Sequence, residues 1–198
     1  MPASRTIAIR NAHPRLRIPR GTVAKVVALL DDKFEILPGD LPHLSLPRPR
    51  LRALKSAFGT PHSKISSVCP PGELSLVFLT DPAIAKIHAD FMADPTATDV
   101  ITFEGDPMAE LAGEICVSAD TAARFVEGPR PRGPRLARTR ALQNSFATEL
   151  TLYVVHGWLH LAGYDDLRPA KKRRMRAAEK RAMALLQKAK VIPAFRLV

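Results

Sequence analysis

Residues 155–166, Val-His-Gly-Trp-Leu-His-Leu-Ala-Gly-Tyr-Asp-Asp, constrain this chain more than any other stretch. His156 and His160 stand four residues apart, so on an α-helix both imidazoles leave the same face, about 6 Å apart along the axis. Their neighbours Leu150, Leu152, Tyr153, Val154, Val155, Trp158, Leu159 and Leu161 leave almost no polar side, which marks a helix enclosed by protein. A buried imidazole is unfavourable unless each ring nitrogen has a partner, and a divalent cation supplies one per ring. Gly163 offers the left-handed backbone that ends a helix, after which Asp165 or Asp166 can swing back toward the histidines. Three side-chain ligands with one position left open is the pattern of catalytic zinc, whereas structural zinc uses four. The competing reading is two core histidines bonded to backbone carbonyls, with Gly-Tyr-Asp-Asp an ordinary turn.

The rest of the chain sets the frame for that helix. At 198 residues and 46% hydrophobic content it is long enough for one globular domain, and a single domain over residues 1–198 is expected. No apolar run approaches the roughly 18 residues of a membrane span, and no secretory signal opens the chain, so a cytoplasmic protein is expected. Residues 1–30 carry five Arg, one Lys and no acid, as a transit peptide does. The alternation over Thr6–Asn11 reads instead as a strand and its turn. Cys69 and Cys116 form no CxxC pair and give no sign of a disulfide framework or thiolate zinc site; Cys116 falls in an apolar strand. The net charge of +11 and an isoelectric point near 10.3 favour polyanionic partners, nucleic acid first.

Along the chain, residues 6–11 read as a strand and 21–30 as an amphipathic helix, with Val23, Val26, Val27 and Leu30 on one face. Prolines at 38, 42, 47, 49, 61, 70 and 71 break up residues 31–71, apart from a short helix expected over 50–58, and make this stretch an elaboration of the fold. Residues 73–80 are nearly continuously apolar and end in Asp81-Pro82, a buried strand followed by a helix start reaching about Met92. Strands follow at 98–103 and 113–118, joined by a Gly-Asp-Pro turn, and then a helix over 119–126. Residues 128–140 hold three prolines, two glycines and five arginines without an acid, which predicts an exposed loop. A last helix over 169–189 places Met175, Ala178, Ala182, Leu185 and Leu186 on one face. The order implies an α+β fold: one mixed sheet of about four strands covered by helices. No Gly-rich phosphate turn is present, so a nucleotide-binding fold is not expected.

Gly157 occupies the position where HExxH metallopeptidases place their general base, so peptidase activity loses its best residue. A His2Asp site in a basic protein joins instead to phosphodiester hydrolysis by a water whose pKa a metal has lowered.

His156 through Asp166 closely resembles the HGxLHLxGYDH signature of the YbeY family, bacterial metal-dependent endoribonucleases linked to ribosomal RNA maturation. Thr98-Asp99-Val100-Ile101-Thr102-Phe103 is similar to that family's TDVLSF strand, Gly113-Glu114-Ile115 to its G-[DE]-I strand, and Met175 through Glu179 to Leu185 to its closing helix. The resemblance covers most of residues 73–188 and implies a zincin-like fold, one zinc ion at the three motif positions, and a role in 16S ribosomal RNA processing, ribosome biogenesis and quality control. Two departures stand out. The third family ligand is histidine, where this chain has Asp166; a carboxylate binds zinc at a similar distance but makes the bound water less acidic. Asp165 matches the family's own Asp and is assigned to the turn or to support of the ligands. The family's arginine, associated with phosphate binding or catalysis, aligns with Met92, which offers no charge to a developing oxyanion.

The sequence therefore predicts a metal-dependent endoribonuclease with His156, His160 and Asp166 binding Zn2+, or another divalent ion, and ribosomal RNA or the small ribosomal subunit as partner. Its catalytic base is unassigned. Arg130, Arg132 and Arg135 are the candidate phosphate-binding residues, because arginines in a loop are free to engage phosphates. His88 is a further residue that could lie near the site. The basic face of the last helix reads equally as a solvated surface or an RNA contact. Trp158 and Tyr164 read as packing residues. The alternative is a catalytically weakened RNA- or ribosome-binding factor with a structural metal, motivated by Met92 and Asp166.

Overall fold

The computed structural model describes residues 5–34, 69–128 and 135–198. Twelve elements follow in order: β1 (Ile7–Asn11), β2 (Leu16–Arg17), α1 (Arg20–Lys33), β3 (Glu73–Leu79), α2 (Asp81–Met92), β4 (Val100–Glu104), a 3-10 turn (Pro107–Ala109), β5 (Leu111–Ser118), α3 (Ala119–Glu127), α4 (Arg135–Leu161), α5 (Pro169–Lys188) and β6 (Arg196–Leu197). Four strands form a mixed sheet in the order β1-β3-β5-β4, with β1, β3 and β5 parallel and β4 antiparallel to β5. This is the α+β mixed sheet that the sequence predicts.

Side-chain alternation divides the sheet into two faces. Leu74, Leu76 and Phe78 of β3 join Ile115 and Val117 of β5 in the main core, with residues of α1, α4 and α5. Val77, Leu79, Cys116 and Ile101 point the other way and close a smaller core with Ile84 of α2. Central strand β3 is covered on both faces, which is why its sequence is apolar almost throughout. Both cysteines are free and buried, and burial pushes each thiol up to about 12, so they serve as packing groups.

Three sequence expectations change. The pair β2–β6, two residues each and antiparallel, was not expected; its partners lie at opposite ends of the chain, and neither carries a local pattern. The loop expected over 128–140 gives way to helix at Arg135, where α4 starts, because after Pro134 the run Arg-Leu-Ala-Arg-Thr-Arg-Ala-Leu is rich in strong helix formers. Within 31–71, α1 continues to Lys33; the expected helix over 50–58 lies outside the described residues.

Helix α4 is fixed in rotation by a polar clamp on its far side. The indole N–H of fully buried Trp158 donates to Asp31 Oδ1 at 3.0 Å, and Asp31 Oδ2 accepts from Arg5 Nε at 2.5 Å. Phe34 meets the same indole edge-on at 5.2 Å. Trp158 is thus a packing residue, as is Tyr164, and the clamp leaves the opposite face of α4 turned toward α5.

Candidate metal centre

The geometry of the site begins with two glycines. A Cβ on Gly157 would lie 2.4 Å from Ile115 Cγ2 and 3.2 Å from Thr102 Oγ1, so α4 rests directly on β5 and β4 at this point. Reciprocally, a Cβ on Gly113 of β5, at φ +143°, would meet Leu161 Cδ2 of α4 at 2.8 Å. No side chain fits at position 157, which removes the place a metallopeptidase would use for its acid. Helix α4 then ends in a Schellman motif. Gly163 sits at φ +89°, its N–H donates to the His160 carbonyl at 2.9 Å, and the Tyr164 N–H donates to the Leu159 carbonyl at 3.0 Å. This turn brings the Asp165-Asp166 pair back over the end of the helix.

The ring nitrogens of His156 and His160 then have definite partners. His156 Nδ1 donates to Glu179 Oε1 of α5 at 2.6 Å, and His160 Nδ1 donates to the Tyr164 carbonyl at 3.1 Å. Both outer partners are acceptors, so both Nδ1 atoms carry hydrogen and both Nε2 atoms present a lone pair. Those two Nε2 atoms face each other at 2.9 Å. Two lone pairs at that distance repel unless a cation lies between them, either a proton or a metal ion. Burial by itself lowers the affinity of His156 for a proton, but the Glu179 hydrogen bond and charge, with Asp99 and Asp166, outweigh it and raise its pKa. His160 is lowered, by burial first and then by the charge of His156. The Glu179 carboxylate thus favours positive charge at His156, and a divalent ion between the rings would compete with a proton for the same lone pairs.

Asp166 completes the group: one ligand atom from each of His156, His160 and Asp166 lies within 4.8 Å of the others. Two imidazoles with outward hydrogen bonds to a carboxylate and a carbonyl, plus a nearby carboxylate, fit a divalent transition ion. Asp165 is occupied elsewhere. Its Oδ2 pairs with Lys171 and its Oδ1 accepts from the Leu167 N–H at 2.7 Å, and these bonds hold its carboxyl below the usual range.

A cleft of about 240 Å³ opens beside this group. Glu149, Tyr153 and His156 of α4 form one wall with Asp99, which precedes β4; Lys172, Arg176 and Glu179 of α5 form the other. Burial raises the pKa of Glu149 against the opposing hydrogen bond from Tyr153, and neighbouring Asp99 and Glu179 raise it further.

Comparison with known proteins bears on what such a site is for. The family model described as Endoribonuclease YbeY matches residues 51–187. The chain belongs to the YbeY endoribonuclease family. Among its relatives, the endoribonuclease YbeY of Chlamydia pneumoniae is 34% identical over 132 residues, 64% of this chain and 75% of that protein. The one from Porphyromonas gingivalis is 31% identical over 144 residues, 73% and 85% of the two chains. The solution structure of TM1509 from Thermotoga maritima aligns with 93% of this chain and 92% of its own, at 17% identity and a TM-score of 0.48. As a YbeY family member the chain is a nuclease, a hydrolase.

Within this YbeY chain the three predicted ligands come together, and other predicted residues do not join them. Met92 ends α2, 54% exposed, and is not among the residues lining the cleft. His88 instead donates from Nδ1 to the Thr96 carbonyl at 2.8 Å, in the turn after α2. Arg130 and Arg132 lie outside the described residues, and Arg135 is the first residue of α4. Sequence reasoning did not single out Glu149 or Glu179 as site residues, and it took Lys172 and Arg176 only as part of the basic face of the last helix, not as neighbours of the histidines. The spacing of Glu149, Tyr153, His156 and His160, at i, i+4, i+7 and i+11, is a signal that could have found the first.

Glu179 has a measurable consequence. It fixes the His156 tautomer from outside, so Glu179→Ala is expected to weaken divalent-ion affinity about 10- to 100-fold, the range for partners of metal-ligating histidines. Competition with a chromogenic chelator reads this directly, and unchanged affinity would remove Glu179 from the site.

Proposed function

We propose that this endoribonuclease cleaves ribosomal RNA precursors, 16S RNA among them, at one divalent cation held by His156, His160 and Asp166, and so serves ribosome maturation and quality control. The observation that carries the reading is the pair of Nε2 lone pairs meeting at 2.9 Å beside Asp166. Zinc is the first choice for two imidazoles and a carboxylate, with manganese a plausible rival for a set containing one hard oxygen ligand. When bound, such an ion supplies Lewis acidity, lowering the pKa of a coordinated water toward neutral and offsetting charge on a phosphate.

The chain's own residues do the positioning. Glu179 and the Tyr164 carbonyl hold both Nδ1 protons, so both Nε2 atoms, which face each other, stay available to a cation. Asp166 adds a negative charge, which tempers the acidity of the site relative to a third histidine. Glu149, whose carboxyl burial pushes above the usual carboxylate range, stands on the same wall as His156 and is the candidate for holding or moving a proton at its carboxyl oxygens. The net charge of +11 favours RNA as the polyanion brought to this cleft.

Incubating purified protein with a 16S precursor transcript tests the proposal. Internal cleavage is expected, stopped by a chelator and restored by zinc or manganese. Salt-dependent binding with no cleavage in zinc, manganese or magnesium would contradict it and favour an RNA-binding factor whose metal is structural.

A further inference from the structure

The two walls of the cleft differ in charge: the α5 wall carries Lys172 and Arg176 beside Glu179, whose carboxylate is taken up by His156, and the α4 wall carries no Lys or Arg among the described lining residues. Asp99 and Glu149 stand on the α4 side, whereas Lys172 and Arg176, four residues apart and therefore one above the other on α5, stand on the opposite side. Two other cations of α5 have structural duties: Lys171 pairs with Asp165, and Arg181 donates to the Tyr164 hydroxyl at 3.3 Å and lies over the Phe34 ring at 5.1 Å. Among the described residues, Lys172 and Arg176 enter no ion pair, and both are exposed. They are also, among the described residues, the only Lys or Arg that line the cleft with His156 and Asp166.

We propose that Lys172 and Arg176 form the phosphate-binding edge of this cleft, gripping the backbone of single-stranded RNA so that one phosphodiester lies against the His156–His160–Asp166 group. The inference rests on the nuclease reading and adds where the substrate lies. A phosphodiester carries one negative charge on its non-bridging oxygens. Along the α4 wall it would meet two carboxylates, and along α5 it meets an ammonium and a guanidinium, with the one carboxylate there, Glu179, engaged by His156 Nδ1 at 2.6 Å. The difference fixes the side taken by the RNA backbone and leaves the α4 wall for the ribose and base, which tolerate nearby acids. Two cations at a helical-turn spacing also suit adjacent oxygens of one phosphate, or one phosphate and its neighbour, with Arg supplying a bidentate fork and Lys a point charge.

The test uses the full chain and a fluorescent 20-nucleotide single-stranded RNA, with binding measured against salt in chelator and cleavage measured in zinc. For Lys172→Ala with Arg176→Ala, the slope of log K against log salt is expected to shrink by about 1.4, roughly 0.7 for each phosphate contact on a single strand. The KM for cleavage should rise about 10-fold or more. Lys172→Arg with Arg176→Lys, which keeps both charges, should recover most of the salt slope. As a control for general charge, Arg173→Ala with Arg174→Ala removes two exposed cations of α5 that do not line the cleft and should change the slope much less. An unchanged slope in the first variant, or an equal loss in the control, would overturn the proposal. Wild type that binds but does not cleave would sink the nuclease reading alone, since the salt slopes still decide where the phosphates lie.

Discussion

Replacing both imidazoles, His156→Ala with His160→Ala, is expected to lower RNA cleavage by about 10^3-fold or more while leaving the protein folded. The magnitude follows from what the site would supply. Lewis-acid stabilisation at a phosphoryl centre is worth several kcal/mol, and each 1.36 kcal/mol is tenfold in rate, so about 4 kcal/mol corresponds to about 10^3. The fold should survive because the clamp on the far side of α4, Trp158 to Asp31 to Arg5, does not involve either ring. Both histidines are only partly buried, and their loss should cost no more than about 1–3 kcal/mol. Circular dichroism of the variant separates the two effects: native signal with lost cleavage supports the site, whereas cleavage at wild-type rate would place the chemistry elsewhere.

Gly157→Ala is expected to lower the melting temperature by about 4–8 °C. The new Cβ would sit 2.4 Å from Ile115 Cγ2, and Ile115 is fully buried in the main core, with little freedom to retreat. Overpacking of this kind costs about 1–3 kcal/mol, and the better helix propensity of alanine returns about 1. At the upper end the net is about 2 kcal/mol, and for a chain of this length each kcal/mol moves the transition by about 2–4 °C. The second effect is functional. Pushing α4 off β5 moves His156 relative to Glu179 on α5, so metal affinity should fall with stability. Adding Ile115→Ala removes the clashing methyl, and the double variant should lose about 1–2 kcal/mol less than the sum of the single changes. Strict additivity would mean that Gly157 is not packed against Ile115.

What could be read from the sequence was what depends on near neighbours. Residues 73–79 announce a strand covered on both faces because nearly every position is apolar, and β3 takes that place. Gly163 announces a helix end because little else tolerates its backbone, and the Schellman motif forms there. The closeness of His156, His160 and Asp166 follows from one helical turn and one reversal, all within eleven residues. Contacts set by tertiary packing were not legible in the same way. Glu179 reaches His156 from α5, 23 residues further along, and which face of α5 it shares with Lys172 and Arg176 depends on how that helix docks. The start of α4 was hidden for a different reason: prolines and arginines ahead of Arg135 gave the look of a loop to a run whose leucines and alanines favour helix. Strands β2 and β6, two residues each, have no periodicity to detect and exist only through their pairing.

The central claim is that the lone pairs of His156 and His160, with the Asp166 carboxylate, converge on one divalent ion. Elemental analysis of the purified protein after dialysis against trace zinc, beside the His156→Ala, His160→Ala double variant, tests it most directly. One equivalent of metal per chain in the wild type and close to none in the variant is the predicted result; the same metal content in both would contradict it.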